Sequence, residues 1–128
     1  MSAMSDYLEN EILDHILATG SYTAPTAVYV GLSTASFADD NSGTELSGSG
    51  YARVAATFGA AASGTASNSA AIEFPAATGS WGTVSHFGIF DASTSGNLLI
   101  HGAFTASKVI ASGDILKINT GDLDISAD

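Results

Sequence analysis

Apolar residues follow two different periods along this chain. Near the start, Leu8, Ile12, Leu13, Ile16 and Leu17 recur at helical spacing and form a single apolar stripe. Ser5 stands where an N-cap belongs, and Asp6 and Glu9 fall in the first turn, where carboxylates complement the helix dipole. Gly20 is placed to stop the helix. The spacing predicts an amphipathic α-helix over residues 6–19, after a disordered lead over residues 1–4. The stripe must be covered either by the chain's own sheet or by a neighbouring subunit.

From Ala27 onward the period becomes two. In Ala27 to Thr34, Val28, Val30 and Leu32 alternate with Tyr29, Gly31 and Ser33, a strand pattern. Tyr51 to Phe58 and Asn68 to Phe74 repeat it, the latter stopped by Pro75. The centre is Trp81 to Phe104, two apolar runs around Asp91-Ala-Ser-Thr-Ser-Gly96, which reads as a β-hairpin with both faces at least partly buried. Its alternation puts Phe87 and Ile89 on one face, and Leu98, Ile100 and Phe104 together on one face of the second strand. Short strands are expected over 107–111, 115–119 and 123–126. Ala35 to Gly50 reads as a long polar loop, and Gly59 to Ser67 as a flexible loop of small residues. About eight short strands after one helix predict a mainly β fold, an antiparallel β-sandwich or jelly-roll-like domain over residues 5–128.

Charge narrows the function classes. The chain carries 13 acidic and 3 basic residues, a net charge of −10, so phosphate backbones are repelled and a nucleic-acid partner is not expected. Arg53, Lys108 and Lys117 are too few for a phosphate or oxyanion clamp. Cysteine is absent, which removes disulfides and thiolate metal sites. No apolar run approaches the roughly 18 residues of a membrane span, and no signal-peptide pattern opens the chain.

Candidate chemistry is thin. His15 sits four residues after Glu11, but two ligands fall short of a zinc site. His86 and His101, one on each hairpin strand, fit a hydrogen-bonded structural role better than a metal site. The Asp39 to Glu45 loop invites a calcium reading yet misses the EF-hand template, leaving at most a weak ion site over residues 39–45. There is no G-x-S-x-G elbow, and Glu45 and Glu73 are the only glutamates outside the helix that could supply a glycosidase pair. Trp81 with Tyr22, Tyr29 and Tyr51 could make a sugar-stacking platform, although core or interface packing is the more ordinary use. Catalytic, cofactor and metal sites are therefore not expected.

The segments SDYLENEILDHIL, APTAVYVGLSTA, GYARVA, FPAATGSWGTVSHFGIFDASTSGNLL and GDLDIS together resemble a family of small tailed-phage virion proteins, often labelled tail-fibre proteins. The resemblance runs from Ser5 nearly to the C-terminus and is most specific over Phe74 to Leu99. It departs at Gly59 to Ser67, where relatives carry longer Asn- and Trp-containing segments. Related small β-domains serve as cement (decoration) proteins on icosahedral heads. The resemblance implies a non-enzymatic virion protein, first a capsid cement protein on the outer head surface. Its implied partners are the major capsid protein and copies of itself as a homotrimer. Leu8, Ile12, Leu13 and Ile16 are then the expected subunit interface. The alternative is a tail-fibre or receptor-binding component touching host glycans through Trp81 and Tyr51. A polysaccharide-cleaving enzyme is the third reading. The length, without heptads or a repeating shaft, suits a compact lattice-binding subunit better than a whole fibre.

Overall fold

The computed structural model describes residues 2–127. In chain order the elements are β1 (Ser2–Met4), α1 (Asp6–Ile16), β2 (Val28–Ser33), β3 (Val54–Ala56), β4 (Thr65–Ser67), β5 (Ile72–Glu73), β6 (Gly82–Phe90), β7 (Leu98–Ile110), β8 (Lys117–Ile118) and β9 (Asp124–Ser126). Five strands form an antiparallel sheet in the order β1-β7-β6-β2-β3; β4 pairs with β9, and β5 with β8. The fold is mainly β with one helix, antiparallel throughout and open-sandwich in layout, as the alternation predicts.

The hairpin β6–β7 is its centre. One face of the large sheet carries Val30, Leu32, Phe87 and Ile89, all buried. They meet Ile72, Phe74, Leu116, Ile118 and Leu123 from the two small ribbons in one apolar cluster. Burying side chains of this size is the main favourable contribution to the fold, about 1.5–3 kcal/mol each. The opposite face carries a second, smaller cluster of Phe37, Phe90 and Leu98. Both faces of the hairpin are thus covered near its turn, while residues 105–109 of β7 are exposed.

Several expectations are corrected. Ser2–Met4 is no disordered lead: it pairs with β7, Ser2 opposite Gly102 and Met4 opposite Ile100. Such pairing uses backbone groups that any residue carries, so three residues leave no side-chain pattern to read. Met1 lies outside the described residues. The helix ends at Ile16 rather than Thr19, and Ala18 (φ 62°), not Gly20, takes the left-handed turn. The amides of Thr19 and Gly20 then both donate to the Asp14 carbonyl, at 2.9 and 3.0 Å. The small-residue segment expected as a flexible loop contains β4. The expected break after Phe104 is absent, since β7 runs unbroken to Ile110. A register shift between Ile89 and Phe90 sets Leu98 opposite Phe90 and Ile100 opposite Ile89, so these two residues serve opposite faces.

Candidate functional site

Two places concentrate side chains that the fold alone does not require to be where they are. The first is a polar node on the outer face of the large sheet. Gly31 and Gly88 are direct partners across β2 and β6. A Cβ on either would come within 3.0 Å of the Phe90 ring, so the bare backbone forms the floor on which that ring lies. The Phe37 ring meets Phe90 edge-on, with centroids 5.7 Å apart. Arg53 stacks its guanidinium on Phe90 and forms a fork with Glu45, Nε to Oε2 at 2.9 Å and Nη2 to Oε1 at 2.8 Å. Its Nη1 donates to the carbonyls of Ala92 and Ser95, both at 2.8 Å, which ties down the β6–β7 turn.

Tyr51 completes the node. Its hydroxyl donates to Glu45 Oε2 at 2.5 Å and accepts from the Leu32 amide at 2.9 Å. Strand β3 stops pairing with β2 at Val30, so the next edge groups of β2 need other partners. Tyr51 takes the Leu32 amide, and the Leu46 amide donates to the Leu32 carbonyl at 2.9 Å. This closes an edge that would otherwise be open to another strand. Burial pushes the Tyr51 hydroxyl far above its ordinary value, and the hydrogen bond to Glu45 adds to the shift. The donors of the node are spent within the fold, and its chemistry is that of a clasp.

The second place is α1. Ser5 caps it, accepting from the Leu8 amide at 3.2 Å, and ties it to β7 by donating to the Leu98 carbonyl at 2.5 Å. Leu8 is buried, and it lines an apolar groove of about 330 Å³ with Tyr22, Pro25, Val28, Phe58 and Ile100. Successive helical residues turn by about 100°. The apolar stripe therefore spans about half the circumference, from Leu8 through Ile12, Ile16 and Leu13 to Leu17. Only its Leu8 edge meets the sheet. Leu13, Ile16 and Leu17 are 55%, 69% and 65% exposed. Of the four expected interface residues, Leu8 belongs to the chain's own packing, Ile12 is half-buried, and Leu13 and Ile16 face outward.

The remaining candidates fall apart in space. Trp81 is 5% exposed, its Nε1 donates to the Ser49 carbonyl at 2.9 Å, and its ring stands perpendicular to Tyr51 with centroids 5.5 Å apart. Trp81, one of the two residues expected to touch glycans, is thus buried, while Tyr51 is half-buried with its hydroxyl committed to Glu45 and the Leu32 amide. His86 and His101 share a face but part company: His86 Nδ1 is 2.7 Å from Ser85 Oγ, and His101 Nε2 is 2.6 Å from Asp39 Oδ1. His15 Nδ1 accepts from the Tyr22 amide at 3.2 Å. The carboxylates of residues 39–45 diverge as well: Asp39 to His101, Asp40 to the Ser42 amide at 2.9 Å, Glu45 to Arg53. Hydrogen bonds from Ser42 hold the Asp40 carboxyl below its ordinary value. Among the described residues, no group of three or more His, Cys, Asp or Glu side chains is gathered as a metal site would need.

The node itself was not legible as a site. Its one advance signal is that Arg53, the chain's single arginine, lies eight residues from Glu45 across a polar loop. Phe37, flanked by Ser36 and Ala38 in that loop, gave no periodic signal at all, yet it is buried.

A family model described as Gp80, "Podophage GP4 fiber I protein gp80", matches residues 3–126. A search of the curated proteins found no match.

Proposed function

The chain belongs to this Gp80 family of podophage fibre proteins, and on that premise we propose that it is a non-enzymatic assembly subunit of the virion, carried on the fibre and docked through the outer half of α1. Membership makes it a phage structural protein. The family's description as a fibre protein supports the fibre location. The observation that carries the docking reading is the exposure of Leu13, Ile16 and Leu17 on a helix anchored at its other edge by Ser5 and Leu8. Three adjoining large apolar residues left open to water on an element this firmly held are typical of a contact surface. The subunit contact is thus drawn from Leu13, Ile16 and Leu17 with Ile12 at its margin, and copies of the same chain are its first partners.

Capsid decoration is the second reading. It is supported by the compact body, the absence of any helix long enough for a stalk among the described residues, and the strong negative charge. A cryo-EM map of the particle separates the two. Density for this chain on the fibre supports the first, and density on the head lattice alone replaces it with the second. Docking itself is tested by the triple variant Leu13→Ser, Ile16→Ser, Leu17→Ser, with the near-UV dichroism of Trp81 as the check on folding. Loss of the variant from assembled particles is expected; incorporation at the wild-type level would reject the α1 surface.

A further inference from the structure

The exposed face of α1 is acidic as well as apolar. Asp6 and Glu9 project within the same half of the helix as Leu13 and Leu17, and Asp14 borders it. A second copy of α1 offers these carboxylates no lysine or arginine, whichever way two helices meet. A self-contact that sets α1 against lysine or arginine therefore needs a different surface on the second copy.

The molecule carries one that fits. A cleft of about 230 Å³ opens between the second half of β7 and β8, with Val84, Phe104, Leu116 and Ile118 as its apolar floor. Lys108 and Lys117 line it, and they are the chain's only lysines. The third cation, Arg53, is committed to Glu45. Among the described residues the ion pairs are Arg53–Glu45 and His101–Asp39, so both lysines are unpaired. Asp122 also lines the cleft, and Glu73 lies opposite Lys117 in the β5–β8 ladder. The cleft is therefore close to neutral. On a chain of net charge −10 it still offers an acidic helix both lysines beside an apolar floor. Ile115, 51% exposed and on the outward side of the same segment as Lys117, widens the apolar area beside it.

The geometry points to a head-to-tail contact between copies of this chain, in which the outer half of α1 on one copy seats against the Lys108–Lys117 cleft of the next. This rests on the reading of α1 as a docking surface and names what it docks on. The two surfaces are distinct and far apart: α1 is pinned at Leu98, the first residue of β7, and Lys108 is ten residues along that strand. A contact of this kind is heterologous, so each copy keeps one unused surface until a ring closes or a chain extends.

Light scattering on the full-length protein tests it. The wild type should run well above its single-chain mass of 12.8 kDa, and added salt should lower that mass. Lys108→Glu with Lys117→Glu should weaken association by at least about tenfold, as should the α1 triple serine variant. Mixing the two variants is the discriminating step. One retains only its helix face and the other only its cleft, so together they should form a 1:1 dimer and stop there. If the lysine variant keeps the wild-type mass while the α1 variant loses it, the cleft is wrong and the α1 docking surface stands. If neither variant changes the mass, or the wild type is a monomer at every concentration tried, both are rejected.

Discussion

The guanidinium carbon of Arg53 lies 3.5 Å from the centre of the Phe90 ring. That stacking holds together three segments distant in sequence: the loop bearing Glu45, the approach to β3, and the β6–β7 turn. Arg53 is nearly buried and Glu45 is about a quarter exposed, at 8% and 23% side-chain exposure. Removing the arginine would leave a half-buried carboxylate unpaired, a ring uncovered and two carbonyls without donors. Arg53→Ala is expected to cost about 3 kcal/mol, which for a domain of this size lowers the melting temperature by about 10 °C. Arg53→Lys keeps the charge but lacks the planar fork, and should recover less than half of that. A lysine variant melting with the wild type would show that charge alone sustains the node.

Gly31 offers an independent probe of the same node. An added Cβ there would lie 2.7 Å from Glu45 Oε2, 3.0 Å from Phe90 and 3.1 Å from the Tyr51 hydroxyl. Each neighbour is held by its own hydrogen bonds or packing, so none can yield freely. Gly31→Ala should destabilise by about 1–3 kcal/mol in urea unfolding. Gly59→Ala is the control: its nearest neighbour would be 3.9 Å away, and its φ is not positive. Equal effects at the two sites would mean that the crowding over Gly31 is relieved at little cost.

These residues also show where the sequence stopped being informative. Side-chain period made β2, β6 and the start of β7 readable, because burial of one face forces alternation. It missed β1 and β4, three residues each, which are held by backbone pairing at edges. It placed Leu98 on the wrong face because one irregular pair shifts every later residue by a step, and nothing in LLIHG marks where that occurs. Phe37 and the Glu45–Arg53 fork come from a loop whose course over the sheet is a tertiary outcome. The helix was legible as amphipathic, but the stripe gave no sign that only its Leu8 edge would be covered. Trp81 was assigned two possible fates by residue type, and only the position of Ser49 and Tyr51 decided between them.

Tyr51 makes stability depend on alkaline pH. Its hydroxyl is raised well above the ordinary tyrosine value in the folded chain, first by burial and then by its bond to Glu45. In the unfolded chain it ionises near pH 10. Below that pH both states hold the proton and stability is unaffected. Above it the unfolded state loses the proton and the folded state keeps it, so stability falls as pH rises, by up to about 1.4 kcal/mol per pH unit. Unfolding free energy measured from about pH 8 to 11 should show this decline setting in near pH 10. Tyr51→Phe should be less stable at neutral pH, having lost two hydrogen bonds, yet flatter above pH 10. A variant with the wild-type slope would assign the alkaline loss to other groups.

Ser5 decides whether α1 is presented as a rigid surface. Its backbone amide donates to the Leu99 carbonyl at 2.8 Å, its hydroxyl joins the Leu8 amide to the Leu98 carbonyl, and the next amide, of Asp6, donates to the Asp39 carbonyl at 3.0 Å. Ser5→Ala keeps both backbone bonds and removes the hydroxyl, leaving the Leu98 carbonyl short of one donor and the helix without its cap. Loss of an N-cap costs about 1 kcal/mol, and a buried unsatisfied acceptor adds a similar amount. Because the helix meets the sheet chiefly through Leu8, most of that loss should appear as local opening. Hydrogen exchange at α1 amides should therefore speed up by about tenfold or more, while amides in the β6–β7 ladder keep nearly their wild-type rates. Equal acceleration across both would show that α1 unfolds only with the whole domain, and would make the helix part of the cooperative core.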